Sequence, residues 1–194
     1  MNPSAVSHCE AAAFESRYRE SDDPWNFASS AYEQNRYAMT LQALARHRYR
    51  RAFEPGCSIG ALTAQLAPLC EELVATDVSP TALARAQERC AEFNHVRFVE
   101  AGLESAEPAG PFDLIVLSEI GYYFTPIALT LIAQRLASSL EADGELIAVH
   151  WLGHSKDHVL HGDEVHHTLM QCLPLKRRKS ERYEGFRLDA WVRE

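Results

Sequence analysis

The sequence predicts one α/β domain, an open and mostly parallel sheet with helices on both faces, and three observations carry that reading. Arg50-Arg51-Ala52-Phe53, short enough for a buried strand, breaks into Glu54-Pro55-Gly56-Cys57-Ser58-Ile59-Gly60 and restarts as a helical stretch over 61–67, a strand-turn-helix unit. A second apolar run over 72–77 ends in Asp77, seventeen positions beyond Gly60 and close to the ~20 at which a carboxylate takes ribose hydroxyls. Phe112-Asp113-Leu114-Ile115-Val116-Leu117 is apolar throughout after Asp113, as a central parallel strand covered on both faces must be.

The turn is a ligand cradle. Gly56 and Gly60 lack Cβ atoms, so the backbone turns sharply and a ligand approaches it closely. Glu54 adds a carboxylate that repels a diphosphate and suits a neutral ribose or a cationic ligand. The dinucleotide pattern Gly-x-Gly-x-x-Gly is not met, because Ser58 stands where a middle glycine belongs and no third glycine follows.

Composition narrows the function classes. The 194 residues with 46% apolar content make one core. A net charge of −8 opposes nucleic-acid backbones and anionic membranes. The uncharged interval 120–134 contains Pro126 and falls short of the ~20 residues of a spanning helix. No secretion signal is evident at the N-terminus, and five cysteines without a Cys-x-x-Cys pair argue against disulfides and zinc, so a cytoplasmic protein is expected.

In chain order, residues 1–8 are polar and expected to fray. A short helix over 11–19 leads to an extended elbow at 22–25, since Pro24 pushes its predecessor out of the helical region. Trp25 on that elbow either packs under a helix or covers the ligand, its indole near a cation. A helix over 31–46 shows Tyr37, Leu41 and Leu44 on one strip and Tyr32, Arg36, Met39 and Ala43 on the next. Ser79-Pro80 starts a helix that buries Leu83, Ala86, Cys90 and Phe93. A strand over 96–99 and the strand at 112–117 follow, and residues 118–123 then lie at the mouth of the site, beyond a strand's carboxyl end. A helix over 126–140 turns at Ala142-Asp143-Gly144 into a strand over 145–151. Six histidines fall between 150 and 167, but Gly153 and Gly162 interrupt any helix that would align them, so a polar lid rather than a metal site is expected. Gly162-Asp163-Glu164 opens a helix to Cys172, the basic run at 176–179 reads as solvated strand, and 180–183 with 186–192 close the sheet as an antiparallel pair.

The Glu54-x-Gly56-x-x-x-Gly60 turn and the acidic end of the second strand resemble the seven-stranded, Rossmann-like class I S-adenosylmethionine-dependent methyltransferases. Within them, Asp23-Pro24-Trp25, Tyr32-Glu33-Gln34-Asn35-Arg36 and 112–123 are most similar to the nodulation protein S group of N-methyltransferases. The resemblance implies S-adenosyl-L-methionine as cofactor and three parts: an N-terminal helical cap over 1–47, a cofactor-binding core over 48–151, and a lid with closing strands over 152–194. It implies cofactor contacts from Trp25, Glu54, Gly56, Cys57, Ser58, Gly60, Asp77, Val78, Ser118 and Glu119, with Arg36 clasping the methionyl carboxylate. Gly102-Leu103 stands where the usual Gly-Asp pair holds adenine, so backbone groups would bracket the ring.

Methyl transfer is an in-line displacement whose main demand is positioning. An amine acceptor must arrive neutral, and Glu119, Tyr122 and His150 are the residues expected to orient it or relay its proton. The expected acceptor is a small molecule, an amino sugar or a deacetylated short glycan, acted on by a monomer or homodimer. A hydroxyl or carboxyl acceptor, an NAD-dependent oxidoreductase and a non-catalytic cofactor-binding module are the alternatives. Ser118-Glu119-Ile120-Gly121 lacks the Pro-Pro-aromatic signature of enzymes that hold a flipped base.

Overall fold

A computed structural model describes residues 4–104 and 109–194, with side chains from Ala11 onward. Six helices accompany seven strands: α1 (Ser4–Glu20), α2 (Ala31–Ala43), β1 (Tyr49–Pro55), α3 (Thr63–Leu66), β2 (Cys70–Asp77), α4 (Pro80–Arg89), β3 (Val96–Glu100), β4 (Phe112–Ser118), α5 (Pro126–Ser139), β5 (Leu140–Trp151), α6 (Gly162–Cys172), β6 (Lys176–Arg182) and β7 (Phe186–Val192). The sheet order is β3-β2-β1-β4-β5-β7-β6, with β7 antiparallel to both neighbours. The chain winds outward from β1 toward β3, then returns to β4 on the other side. That reversal opens a crevice beyond the carboxyl ends of β1 and β4, where α/β sheets take their ligands. This is the class I methyltransferase fold, as the sequence predicts.

Strand β4 shows why the sheet is covered twice. Ile115 and Leu117 join the apolar cluster under α5 and α6, whereas Leu114 and Val116 join the cluster that includes Tyr37 of α2 and Leu66 of α3, and all four are fully buried. Helix α4 begins as expected, with Ser79 Oγ accepting from Ala82 N at 3.0 Å and Pro80 in the first turn.

Several boundaries differ from the sequence reading. Strand β5 begins at Leu140 and runs through the turn expected at 142–144, not at 145. The helix expected over 61–67 is only the single turn of α3, followed by a 3₁₀ turn over Ala67–Leu69 that contains Pro68. Helix α2 stops at Ala43 because side chains capture the next amides: Ala45 N donates to Glu145 Oε2 at 2.9 Å and Arg46 N to the Tyr49 hydroxyl at 3.2 Å. Strand β6 starts at Lys176, ahead of the expected 180, so the basic run is solvated strand as expected; its charges are paired, Lys176 with Glu194, Arg178 with buried Glu145, and Lys179 with Glu181. Charges along this edge strand also discourage pairing with another sheet. Helix α1 starts at Ser4, ahead of the expected 11; residues 1–3 lie outside the described residues.

Candidate active site

At the end of β1 the chain enters the left-handed region three times, at Gly56 (φ 71°), Ser58 (φ 52°) and Gly60 (φ 76°). A Cβ on Gly56 would stand 2.4 Å from Cγ2 of Ile120, so the turn packs directly against the loop after β4. Gly56→Ala is therefore expected to cost about 1–3 kcal/mol in urea unfolding, part of it recovered by Ile120→Ala.

Asp77 ties this turn to the next strand. Its Oδ2 accepts from Ser58 N at 2.8 Å and its Oδ1 from Ser79 N at 3.0 Å. Burial raises its carboxyl above the ordinary range, and the two amides oppose that shift. Glu54 is also buried; its Oε2 has no hydrogen-bond partner, and desolvation pushes its carboxyl up to about 8. At that value the carboxyl is largely protonated at pH 7 and presents little charge to the turn.

One cavity of about 710 Å³ opens here, within the roughly 300–1,000 Å³ typical of small-ligand sites. Trp25, Gly56, Ser58, Asp77, Val78, Gly102, Leu103, Glu119 and Tyr122 all line it. Glu54, Cys57, Gly60, Arg36, Ser118 and His150 are absent from its wall. Cys57 turns instead toward Ala75 and Leu83. Phe14, Tyr18, Phe27, Tyr32, Tyr123 and Trp151 add aromatic rings to the lining of the cavity. Trp25 lines the cavity and packs on Phe27 (5.7 Å, 21°) and edge-on to Tyr18 of α1 (5.3 Å).

Helix α1 lies against this cavity and is anchored at both sides. Glu15 accepts from Ser79 Oγ and Thr81 Oγ1, both at 2.7 Å, and these bonds hold its carboxyl down to about 2. Arg17 pairs with Asp157 at 2.7 Å, and Tyr18 donates to Ser58 Oγ at 2.5 Å.

Glu33, Arg36 and Glu119 form a buried charge cluster beside the cavity. Arg36 is 1% exposed. Its guanidinium pairs with Glu33 and, at 2.5 Å, with Glu119 Oε1, between the rings of Tyr32 and Tyr37. The sequence reading sent Arg36 to the cofactor carboxylate; the structure gives its guanidinium two carboxylates of the protein itself. Glu119, at φ 61°, also accepts from Trp151 N at 2.7 Å and from the Tyr122 hydroxyl at 2.8 Å. Burial raises Glu33 to about 7 against the pull of Arg36.

His150 sits behind the cavity in a hydrogen-bonded chain. Gly121 N donates to His150 Nε2 at 3.0 Å, which leaves Nδ1–H to donate to His166 Nε2 at 3.2 Å. His166 Nδ1–H then donates to Asp189 Oδ2 at 2.5 Å. His150, His166 and Asp189 are all fully buried, and burial holds both imidazoles below their ordinary range and hence neutral. Both nitrogens of His150 are committed, so its role in this arrangement is to hold the loop that carries Glu119 and Tyr122.

The other histidines divide the remaining work. His154 and His158 line the cavity, His161 caps α6 by accepting from Asp163 N at 3.2 Å, and His167 is exposed. Among the described residues, no cluster of three His, Cys, Asp or Glu side chains is placed to hold a metal. Sequence reasoning passed over Glu33, whose spacing of three from Arg36 puts both on one helix face, and Phe14 and Tyr18 of α1, for which no local motif exists.

Known proteins match this arrangement. The sequence fits the nodulation protein S family over residues 9–165. Nodulation protein S of Bradyrhizobium diazoefficiens is 40% identical over 128 residues, 65% of this chain and 61% of that protein, so the match spans under two thirds of the relative. A solved Pseudomonas syringae structure is 38% identical with a TM-score of 0.74, covering 84% of this chain and 100% of that one. N-methyltransferase NodS from Bradyrhizobium japonicum WM9, in complex with S-adenosyl-L-homocysteine, superposes with a TM-score of 0.83 at 24% identity, covering 94% and 97% of the two chains. With a match through the cap, the glycine turn, the β4 loop and the start of α6, the chain belongs to the nodulation protein S family.

Proposed function

We propose that this protein is an S-adenosyl-L-methionine-dependent methyltransferase that N-methylates a small amine, an amino sugar or deacetylated short glycan. The observation that carries the reading is one cavity lined by Gly56, Ser58, Asp77 and Gly102 together with aromatic rings and the carboxylates of Glu33 and Glu119. When bound, the cofactor supplies an electrophilic methyl group on a sulfonium. Asp77 would hold its ribose hydroxyls, and backbone groups of Gly102 and Leu103 its adenine. Two carboxylates around one guanidinium favour a cationic amine over a neutral hydroxyl at the acceptor end. Flat aromatic walls suit an apolar ring face. That a similar N-methyltransferase is solved in complex with S-adenosyl-L-homocysteine supports this reading.

An NAD-dependent reading calls for a Gly-x-Gly-x-x-Gly turn, which Ser58 and Ala61 do not supply. The net charge of −8 also favours a small acceptor over nucleic acid, and no helix among the described residues is long and apolar enough to cross a membrane. The proposed setting is the cytoplasm, with a monomer or homodimer as the working form.

Mass spectrometry of reactions with S-adenosylmethionine and a panel of chitosan oligomers, simple amines, alcohols and carboxylic acids tests the proposal. Methyl addition to amines is expected; transfer to hydroxyl or carboxyl groups alone, or none to any acceptor, would refute it. Asp77→Ala is expected to weaken binding of the demethylated cofactor by about 1.5–3 kcal/mol, roughly 10- to 150-fold in calorimetry. Unchanged affinity in a folded variant would remove Asp77 from the ribose.

A further inference from the structure

The N-methylation reading requires a group that removes a proton from the acceptor, and the residues first nominated for this are occupied. Glu119 spends its oxygens on Arg36, the Trp151 amide and the Tyr122 hydroxyl. Tyr122 donates its proton to Glu119 and is far too weak an acid, raised by burial, to act as an anion. His150 is fully buried with both nitrogens committed to Gly121 and His166.

His158 differs from all three. It lies in the segment between β5 and α6 and lines the cavity together with Glu119 and Tyr122. Its ring is stacked on Tyr122 with centroids 3.7 Å apart and planes at 17°, and it meets Tyr123 edge-on at 5.2 Å and Trp151 at 6.1 Å. Three rings thus fix its orientation, while neither ring nitrogen has a protein hydrogen-bond partner among the described residues. The backbone of the segment is held as well, since Val159 N and Leu160 N both donate to the Tyr122 carbonyl, at 2.8 and 3.1 Å.

We propose that His158 is the catalytic base for the acceptor amine. The step balances as follows: an ammonium R–NH3⁺ entering the cavity gives one proton to a ring nitrogen of His158, forming an imidazolium and R–NH2. The freed lone pair forms the N–CH3 bond as the sulfonium C–S bond breaks, leaving a neutral thioether and a methylated ammonium, and the imidazolium returns its proton to solvent. The groups facing His158 are Asp157 and His161 from its own segment, Glu119, Tyr122 and Tyr123 from the β4 loop, and Arg17 from α1. Burial outweighs the two carboxylates and lowers its imidazole below the ordinary range, which keeps it neutral and able to accept at pH 7.

Two variants test this, His158→Phe, which keeps a ring on Tyr122, and His158→Gln. In the wild type, kcat/KM should rise with pH through the His158 ionisation. Both variants should lose about 100-fold or more at pH 7 and regain rate toward the acceptor's own pKa, with affinity for S-adenosylhomocysteine changed less than threefold. ¹⁵N NMR of histidine-labelled protein holding S-adenosylhomocysteine reads the same group without turnover: a chitosan oligomer should move the His158 titration midpoint. Variants within threefold of wild type at all pH values overturn the proposal. So does an equal loss at every pH, which would mark packing alone, or a shift of the acidic limb by Glu33→Gln instead. A wild type that methylates no amine overturns the N-methylation reading itself, whereas an active wild type with unaffected variants overturns only the role of His158.

Discussion

Arg36→Leu is expected to destabilise the protein by about 3–5 kcal/mol, the cost of leaving buried carboxylates without their cation. For a chain of this size that is a fall in Tm of roughly 6–20 °C. The guanidinium is 1% exposed and is shared by Glu33 and Glu119, so no water replaces it readily. The pH dependence has a definite sign. Glu33 is already raised from 4.5 to about 7 with Arg36 present, and removing the cation raises it further. A carboxyl raised in the folded state binds a proton there that the unfolded chain releases, so the folded variant loses stability as pH rises from about 4.5 through 7 and beyond. The defect should be largest at pH 8 and smallest near pH 5, measured by urea unfolding at both. Equal losses at the two pH values would show that Glu33 and Glu119 find another partner.

His166→Phe should cost about 2–4 kcal/mol, because it strands the Nδ1–H of His150 and removes one of the donors to Asp189 Oδ2 in a fully buried site. Arg187, which donates to the same Asp189 oxygen at 2.9 Å, limits the damage to the carboxylate. Asp189→Asn keeps an acceptor for His166 and should cost less. Both imidazoles are lowered by burial, so below the unfolded value of about 6.5 the unfolded chain binds protons that the folded one does not. Their contribution is therefore complete above pH 6.5 and declines as pH falls, by up to about 1.4 kcal/mol per unit for each group. The gap between wild type and His166→Phe should narrow from pH 7 to pH 5. Because the chain ends on Gly121 N, the variant should also lose turnover beyond its loss of stability, read as kcat at a temperature where both proteins are folded.

The fold was legible because its signals are local. The alternation of strand and helix patterns, the turn at Gly56 and Gly60, the cap at Ser79 and the unbroken apolar run of β4 each follow from a few neighbouring residues. Boundaries failed where distant side chains decided them: Glu145, about a hundred residues away, ends α2 by taking the amide of Ala45. The site was half legible for the same reason. Asp77, Ser58, Gly102 and Glu119 follow from their places at strand ends, and the structure brings them to one cavity. Arg36 and His150 carry the right chemistry at the right height in the fold, but their partners Glu119, His166 and Asp189 come from other elements. No spacing rule brings His158 onto Tyr122, because a loop sets that contact.

The most direct measurement is a crystal structure with S-adenosylhomocysteine. The ribose hydroxyls should lie on Asp77, the adenine against Gly102 and Leu103, and the sulfur should open onto Tyr122 and His158. Density for the ligand outside this cavity, or a preference of the Gly56 to Gly60 turn for a dinucleotide, would contradict the account.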